Sequence, residues 1–285
     1  MSPYLRPEKL EDALALLTRT EVRIAAGCTD LFPATERPAL PGPILDITGI
    51  AGLRGIRRDG GDIRIGATTT WTDIIRAELP PAFDMLKEAA AEVGSVQIQN
   101  AGTLAGNICN ASPAADGMPC LLALDAKVEL QSAQGTRVLA LSDFVTGVRE
   151  TRRAADEIVT AVLIPAQAQN GRSRFLKLGA RKYLVISIAM VAARIECEEG
   201  RITRAALSVG SCSAVATRLP ALEDALRGLP INAGLPAQVR EDLIAPALSP
   251  IDDMRADAAY RTTAALHLIR RALSDLNPAT TGAAA

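Results

Sequence analysis

Apolar positions along this chain recur with two different periods, and the switches between them predict its elements. Pro7 and Glu8 open a helical run in which Leu10, Leu14 and Leu17 share one face. A short β-rich run, Val22 to Ala25, leads into a glycine and a polar Thr-Asp step. After a proline-rich connector, Pro38 to Pro43, the segment Ile44 to Thr48 reads as a strand. Asp59-Gly60-Gly61 lies between two alternating runs and predicts a hairpin. Thr70 or Thr72 then caps a helix beginning near Trp71, the single tryptophan, which reads as packing. Phe83 to Val96 forms another helix, with Met85, Leu86, Ala89 and Val93 on one face.

A second hairpin turns at Ser132 to Gly135, and Ser142 and Asp143 read as a capping pair. Asp156 to Pro165 has the composition of a buried strand, and the polar stretch Gln167 to Gly171 is the expected domain boundary. Beyond it come three strand-like runs, the last two joined by a hairpin at Glu198 to Gly200. The tail is helical: ATRLPALEDALRG, PAQVREDLIAPAL, and a final helix with Ala259, Leu266 and Ile269 or Leu273 near one face. The terminal TTGAAA is expected to fray.

Composition narrows the chemistry. A net charge of -1 without a basic block excludes a nucleic-acid or anionic-membrane binder, and 22% charged with 48% hydrophobic residues marks a globular chain. The first residues lack the layout of a signal peptide, and no apolar run approaches the roughly 18 residues of a membrane helix. The single histidine, His267, rules out a multi-histidine metal site within the chain, and the five cysteines show no CxxC spacing. A reduced, cytoplasmic protein with free thiols and no metal of its own is the simplest account. The GxGxxG and GxxxxGK[ST] fingerprints are both missing, so any nucleotide would be held another way.

The densest candidate chemistry lies in Ala101 to Cys120, AGTLAGNICNASPAADGMPC, with Gly102 and Gly106 four apart and Asp116 its only charge. Small residues and glycines let backbone approach a ligand closely, which suits a pyrophosphate.

Together, AAGCTDL, TLAGNICNASPAAD, KLGARK and PIDDMRADAAYR resemble the FAD-binding (medium) subunit of molybdenum hydroxylases, a family that includes xanthine dehydrogenase, aerobic carbon monoxide dehydrogenase and nicotinate dehydrogenase. The similarity runs through nearly the whole chain in the family's order. It implies an α+β fold: a two-part FAD-binding domain of the vanillyl-alcohol-oxidase/PCMH type over 1–170 (parts about 1–52 and 53–170), then a C-terminal domain, 171–285, with a three-stranded antiparallel sheet and helices. It implies a first loop, Ala25, Ala26, Gly27, Cys28, Thr29 and Asp30, and a second, Gly102, Thr103, Leu104, Ala105, Gly106 and Asn107, that clamp the FAD pyrophosphate with backbone N–H groups. Asn110 and Asp116 would contact the nucleotide, Asp116 through a sugar or ribityl hydroxyl; Ile158 and Val159 would line the flavin ring, with Lys177 and Tyr183 near it. Ala26 and Ala105 stand where the family usually has glycine, and their methyls are tolerated only if φ is negative.

The resemblance also implies a division of labour. No catalytic residue is expected on this chain. Substrate would react at a molybdopterin–molybdenum centre on a large subunit, and electrons would pass through [2Fe-2S] clusters of a small subunit to FAD here. They would then go to NAD, oxygen or a quinone-type acceptor. Two rival readings are a stand-alone FAD-dependent oxidase or reductase of the same fold, and a flavin-free scaffold subunit.

Overall fold

The structure, a computed structural model, describes residues 3–36, 40 and 42–277. Arg37 to Ala39 and Pro41, within or beside the proline-rich connector, and the terminal TTGAAA lie outside the described residues.

At the N-terminus, β1 (Tyr4–Leu5), β2 (Arg23–Ala25) and β3 (Ile44–Asp46) form a parallel sheet in the order β1-β3-β2. Helix α1 (Leu10–Leu17) packs on it, burying Ala13 and Leu14 against Leu45 and Ile47. The strand expected to reach Thr48 stops at Asp46. There the Asp46 carboxylate accepts the Thr48 N–H at 2.9 Å and its hydroxyl at 2.7 Å, which turns the backbone into a 3₁₀ helix.

A fully antiparallel five-stranded sheet follows. Its strands are β4 (Ile56–Asp59), β5 (Asp62–Gly66), β6 (Lys127–Ser132), β7 (Gly135–Ala140) and, beyond the small hairpin β8 (Val145–Gly147) and β9 (Glu150–Thr151), β10 (Ile158–Ile164). β10 runs down the middle, in the order β4-β5-β10-β6-β7. The turn between β4 and β5 places Gly60 at φ 58 and Gly61 at φ 97, the paired left-handed geometry that a two-residue hairpin needs.

Six short helices are interleaved with these strands along the chain: α2 (Trp71–Arg76), α3 (Asp84–Glu92), α4 (Val96–Ala101), α5 (Leu104–Asn110), α6 (Gly117–Ala123) and α7 (Leu141–Phe144). Thr70 is the cap of α2, in a reciprocal capping box with Asp73, whereas Thr72 donates instead to Asn100 Oδ1. The single helix expected over Phe83 to Val96 is broken by Gly94, whose φ of 52 no right-handed helix accommodates. Ser142 and Asp143 do not cap: β7 runs directly into α7, so both already lie inside the turn, and Ala140 occupies the cap position.

The C-terminal sheet is antiparallel, in the order β11 (Arg172–Leu178), β12 (Ala189–Glu198), β13 (Arg201–Gly210) and β14 (Thr217–Arg218); the last is a two-residue strand beyond the three expected. Alternation along the strands divides its faces. Phe175, Met190, Ala192 and Ala206 join the core under the five-stranded sheet, while Val191, Ala193, Leu207 and Val209 face α8 (Pro220–Leu226) and α9 (Ala258–Asp275). The stretch PAQVREDLIAPAL forms three 3₁₀ turns rather than an α-helix, punctuated by Pro236 and Pro246.

Helix α6 is fastened to this second sheet at both ends. Beyond its C-terminus, Asp125 receives Arg204 at 2.7 Å and Arg218 at 2.8 Å, and the fully buried Arg194 donates to Ala123 O at 3.0 Å. At its N-terminus Asp116 makes a comparable link, described below.

Of the residues expected on one face of α9, Leu266, Ile269 and Leu273 are buried and Ala259 is exposed; Arg261 and Ala265 are buried with them. Arg261 can be buried because its guanidinium donates to Ile188 O, Ser211 O and the Asp253 carboxylate. The Arg255 backbone N–H, helped by the Arg261 and Arg255 guanidiniums, outweighs desolvation and holds the Asp253 carboxyl at about 2, below its ordinary 3.8. With the folded value below the unfolded one, this contribution to stability is present above 3.8 and is lost as pH falls toward about 2. An Asp253→Asn variant should therefore melt lower at neutral pH and lose less stability on acidification. A series of thermal melts across pH reads this, and curves that superpose on the wild type at all pH values would refute it. No helix among the described residues is long and apolar enough to cross a membrane.

Candidate functional site

Between the N-terminal sheet and the α5–α6 face of the second part runs a cleft of about 940 Å³, at the upper end of the range for cofactor sites. Of the residues expected to meet a nucleotide, it is lined by Ala25, Ala26, Gly27, Cys28, Thr29 and Asp30 from the loop after β2. It also takes Gly102, Thr103, Ala105, Gly106, Asn107, Asn110 and Asp116 from the chain through α5 to the start of α6, and Ile158 and Val159 from β10. Three expected residues are not in its wall. Leu104 is fully buried in the main core, and Tyr183 stands exposed on the loop before β12, with the Lys182 ammonium 5.1 Å from its ring centroid. Lys177 lines an adjoining pocket of about 360 Å³ that shares Ile98, Ala114, Asp116 and Ile186 with the cleft.

The two loops touch each other. A Cβ built on Gly27 would lie 2.0 Å from Ala101 O and 2.8 Å from Gly102 Cα, so backbone meets backbone there. Glycine at 27 is thus required by loop-on-loop contact, before any ligand is considered. Trp71 is packed as expected, 2% exposed, but it also forms part of the cleft wall. A Cβ on Gly117 would meet its Cη2 at 2.7 Å, and one on Gly102 its Cδ1 at 3.3 Å.

The second "loop" is largely helix. Thr103 is the N-cap of α5: its hydroxyl accepts the Gly106 N–H at 3.1 Å and its carbonyl the Asn107 N–H at 3.0 Å, while the Leu104 N–H goes to Thr69 O at 3.0 Å. With the Gly102 N–H donated to Ile98 O at 2.7 Å, four of the N–H groups expected to clamp a pyrophosphate are bonded within the protein. The helix also turns side chains toward the cleft. Asn107 Oδ1 is buried and has no hydrogen-bond partner, an open acceptor in the wall.

Neither Ala26 nor Ala105 has a left-handed φ, so their methyls impose no backbone strain. The left-handed residue of the first loop is Cys28, at φ 59. Burial pushes its thiol up from the usual range, with the nearby Asp46 carboxylate acting in the same direction.

Asp116 is occupied on both oxygens. Lys177 Nζ from β11 donates to Oδ2 at 2.7 Å, and Ser187 Oγ, from the loop before β12, donates to Oδ1 at 2.8 Å. All three side chains are shielded, Asp116 at 7% and Ser187 at 2% exposure, so a buried ion pair joins the first residues of α6 to the C-terminal sheet. Desolvation raises the Asp116 carboxyl above its usual range, against the opposing pull of Lys177 and Ser187. A sugar hydroxyl approaching Asp116 would meet a carboxylate already engaged by Lys177 and Ser187.

The cleft also takes residues that were not foreseen, two arginines at one end among them. Arg149 and Arg153 flank the Asn110 end, on and just after the β8–β9 hairpin. The run VRETRR shows their charge, but only the folding of the hairpin onto α5 brings them here.

Comparison with known proteins places this geometry. Residues 1–167 match the family described as "FAD binding domain in molybdopterin dehydrogenase", and 174–276 match "CO dehydrogenase flavoprotein C-terminal domain". The chain is 31% identical over 274 residues to the nicotine 6-hydroxylase medium subunit of Paenarthrobacter nicotinovorans, covering 95% of each. It is 32% identical over 280 residues to the carbon monoxide dehydrogenase medium chain of Afipia carboxidovorans, covering 95% of this chain and 94% of that one. Among solved structures, reconstituted CO dehydrogenase from Oligotropha carboxidovorans superposes with a TM-score of 0.90 at 28% identity, covering 97% of this chain and 98% of that one. The α+β architecture, the cleft and these matches agree: the chain belongs to the family of FAD-binding medium subunits of molybdenum hydroxylases.

Proposed function

We propose that this chain is the electron-transfer subunit of a multi-subunit molybdenum hydroxylase, holding FAD in the cleft. It would take electrons from iron–sulfur clusters of a small partner subunit and deliver them to NAD, oxygen or a quinone-type acceptor. Substrate chemistry would take place at a molybdopterin centre on a large partner subunit. FAD, when bound, supplies the exchange between one- and two-electron carriers that this task requires.

The residues present fit that cofactor. The observation that carries the reading is the unpartnered, buried Asn107 Oδ1 in the wall of a cleft large enough for a dinucleotide. Ile158 and Val159 on β10 are 1% and 4% exposed and offer an apolar surface for a flat ring. Gly27 lets the two loops close against each other beneath the ligand, and Thr29 and Asn110 place polar side chains along it. Lys177 would act through Asp116: by holding that carboxylate it fixes the start of α6, where the cleft and the adjoining pocket meet. We place the two domains at 1–170 and 171–285, in a cytoplasmic complex; the five free cysteines suit a reducing compartment.

The test is a visible absorbance spectrum of the full chain, purified alone and together with its large and small partners. The expected result is flavin absorbance, with substrate turnover only when both partners are present. Folded but colourless protein that rejects added FAD would overturn the reading, and turnover by the chain alone would favour a stand-alone flavin enzyme.

A further inference from the structure

We propose that Arg149 and Arg153 are phosphate-binding residues of the cleft, taking up the negative charge of the diphosphate of the nucleotide held there. The inference rests on the reading of the cleft as an FAD site and adds to it the cations that such a site needs.

The β8–β9 hairpin is stapled onto the end of α5. The Arg149 N–H donates to Ala111 O at 2.9 Å, and Arg149 Nη1 donates to Asn110 O at 3.2 Å and to Asn110 Oδ1. Both residues of this staple are left-handed, Ala111 at φ 46 and Arg149 at φ 61, a conformation that residues with a Cβ seldom adopt. The fold thus holds Arg149 in an unfavoured backbone geometry, beside Asn110 and in the cleft wall. Arg153, just beyond β9, is anchored by Nη1 to Ala154 O and Glu157 O at 2.9 and 2.8 Å and lines the same end.

Neither guanidinium forms an ion pair among the described residues; the Arg153 charge acts on the Glu157 carboxylate, but the side chain bonded to that carboxylate is Arg137 of β7. The hydrogen-bond partners of both are neutral oxygens reached through Nη1 alone, so Nε and Nη2 of each have no protein acceptor among the described residues. Two planar forks with free donors at one end of a dinucleotide-sized cleft match the geometry of phosphate oxygens. The N–H groups of Gly102, Leu104, Gly106 and Asn107 are bonded internally, which leaves less of the charge compensation to the backbone of the second loop, and Arg149 and Arg153 are two cations placed together at one end of the cleft to add to it.

The experiment titrates the full chain, freed of flavin, with FAD and with riboflavin, which carries the ring and ribityl chain but no phosphate, across a range of salt concentrations. In the wild type, FAD affinity should fall with salt while riboflavin affinity does not. Arg149→Gln and Arg153→Gln should each weaken FAD roughly ten- to hundredfold and flatten its salt dependence, leaving riboflavin unchanged. Arg149→Lys, which keeps the charge and loses the fork, should fall between. Unchanged FAD affinity in both Gln variants overturns the proposal, as does equal weakening of FAD and riboflavin, the mark of a merely structural role. If one variant does not fold, the other and the wild-type salt dependence still decide. A wild type that takes up no FAD would sink the cleft reading itself, an outcome distinct from variants that bind FAD normally.

Discussion

Gly27→Ala should yield protein that has lost its flavin and melts markedly lower than the wild type. The added methyl falls 2.0 Å from Ala101 O and 2.7 Å from its carbonyl carbon, and neither atom belongs to a side chain that could swing away. The two loops must separate, which opens the cleft along its length. Overpacking of this kind costs about 1–3 kcal/mol, and contact with backbone on both sides puts Gly27 at the top of that range or beyond it. The control is Gly52→Ala, where an added Cβ meets nothing within 4 Å and φ is not left-handed. Flavin absorbance per protein and the melting temperature report the two effects. A Gly27→Ala variant as yellow and as stable as the Gly52→Ala control would show that the loops do not touch.

Lys177→Met carries the second largest expected effect. It leaves the Asp116 carboxylate buried with Ser187 as its only remaining hydrogen-bond partner among the described residues. Breaking a buried pair from one side costs about 3–5 kcal/mol, because a charge stays in a poorly solvating place. The variant can relieve this by protonating Asp116, whose carboxyl is already raised by desolvation. A folded value above the unfolded 3.8 means that Asp116 favours folding below 3.8 and that this is lost as pH rises through the folded value. Lys177→Met should therefore approach wild-type stability in acid and fall away toward neutral pH. The double variant with Asp116→Asn should recover part of the loss, since no charge is left stranded. Denaturant unfolding at acid and neutral pH measures all three proteins. A loss in Lys177→Met that does not vary with pH would mean that the pair is not buried in solution.

Legibility in the sequence followed the range of the interactions. The Asp59 to Gly61 hairpin and the Thr70 cap were readable because glycine φ and cap chemistry are local. The break at Gly94 was missed because the apolar spacing of Met85, Leu86, Ala89 and Val93 continues up to it, and a glycine in such a pattern is no proof of a break. The small residues from Ala25 to Asp30 and from Gly102 to Asn107 located the cleft, but not how it is built. That Gly27 serves the contact with Ala101, and that Thr103 draws Gly106 and Asn107 into a helix, depends on which backbone atoms meet. The partners of Asp116 lie 61 and 71 residues along the chain, and Arg261 is bonded 73 residues away to Ile188 O. Nothing in a carboxylate or a guanidinium announces such a partner in advance. Arg149 entered the site for the same reason, through a hairpin that reads as an ordinary basic turn.

The fastening of α6 also bears on how the molecule comes apart. Asp116 at one end and Asp125 at the other tie this helix to strands or loops of the C-terminal sheet, and Arg218 Nη1 adds a bond to Leu122 O at 2.9 Å. To peel the two sheets apart, the protein would have to break both sets of bonds and bare Phe175, Met190 and Ala206 from their shared core. No partial opening keeps half of that gain. Heat should therefore unfold the cleft and the C-terminal sheet in one calorimetric transition, and amides of α6 should exchange with solvent only when the whole chain does.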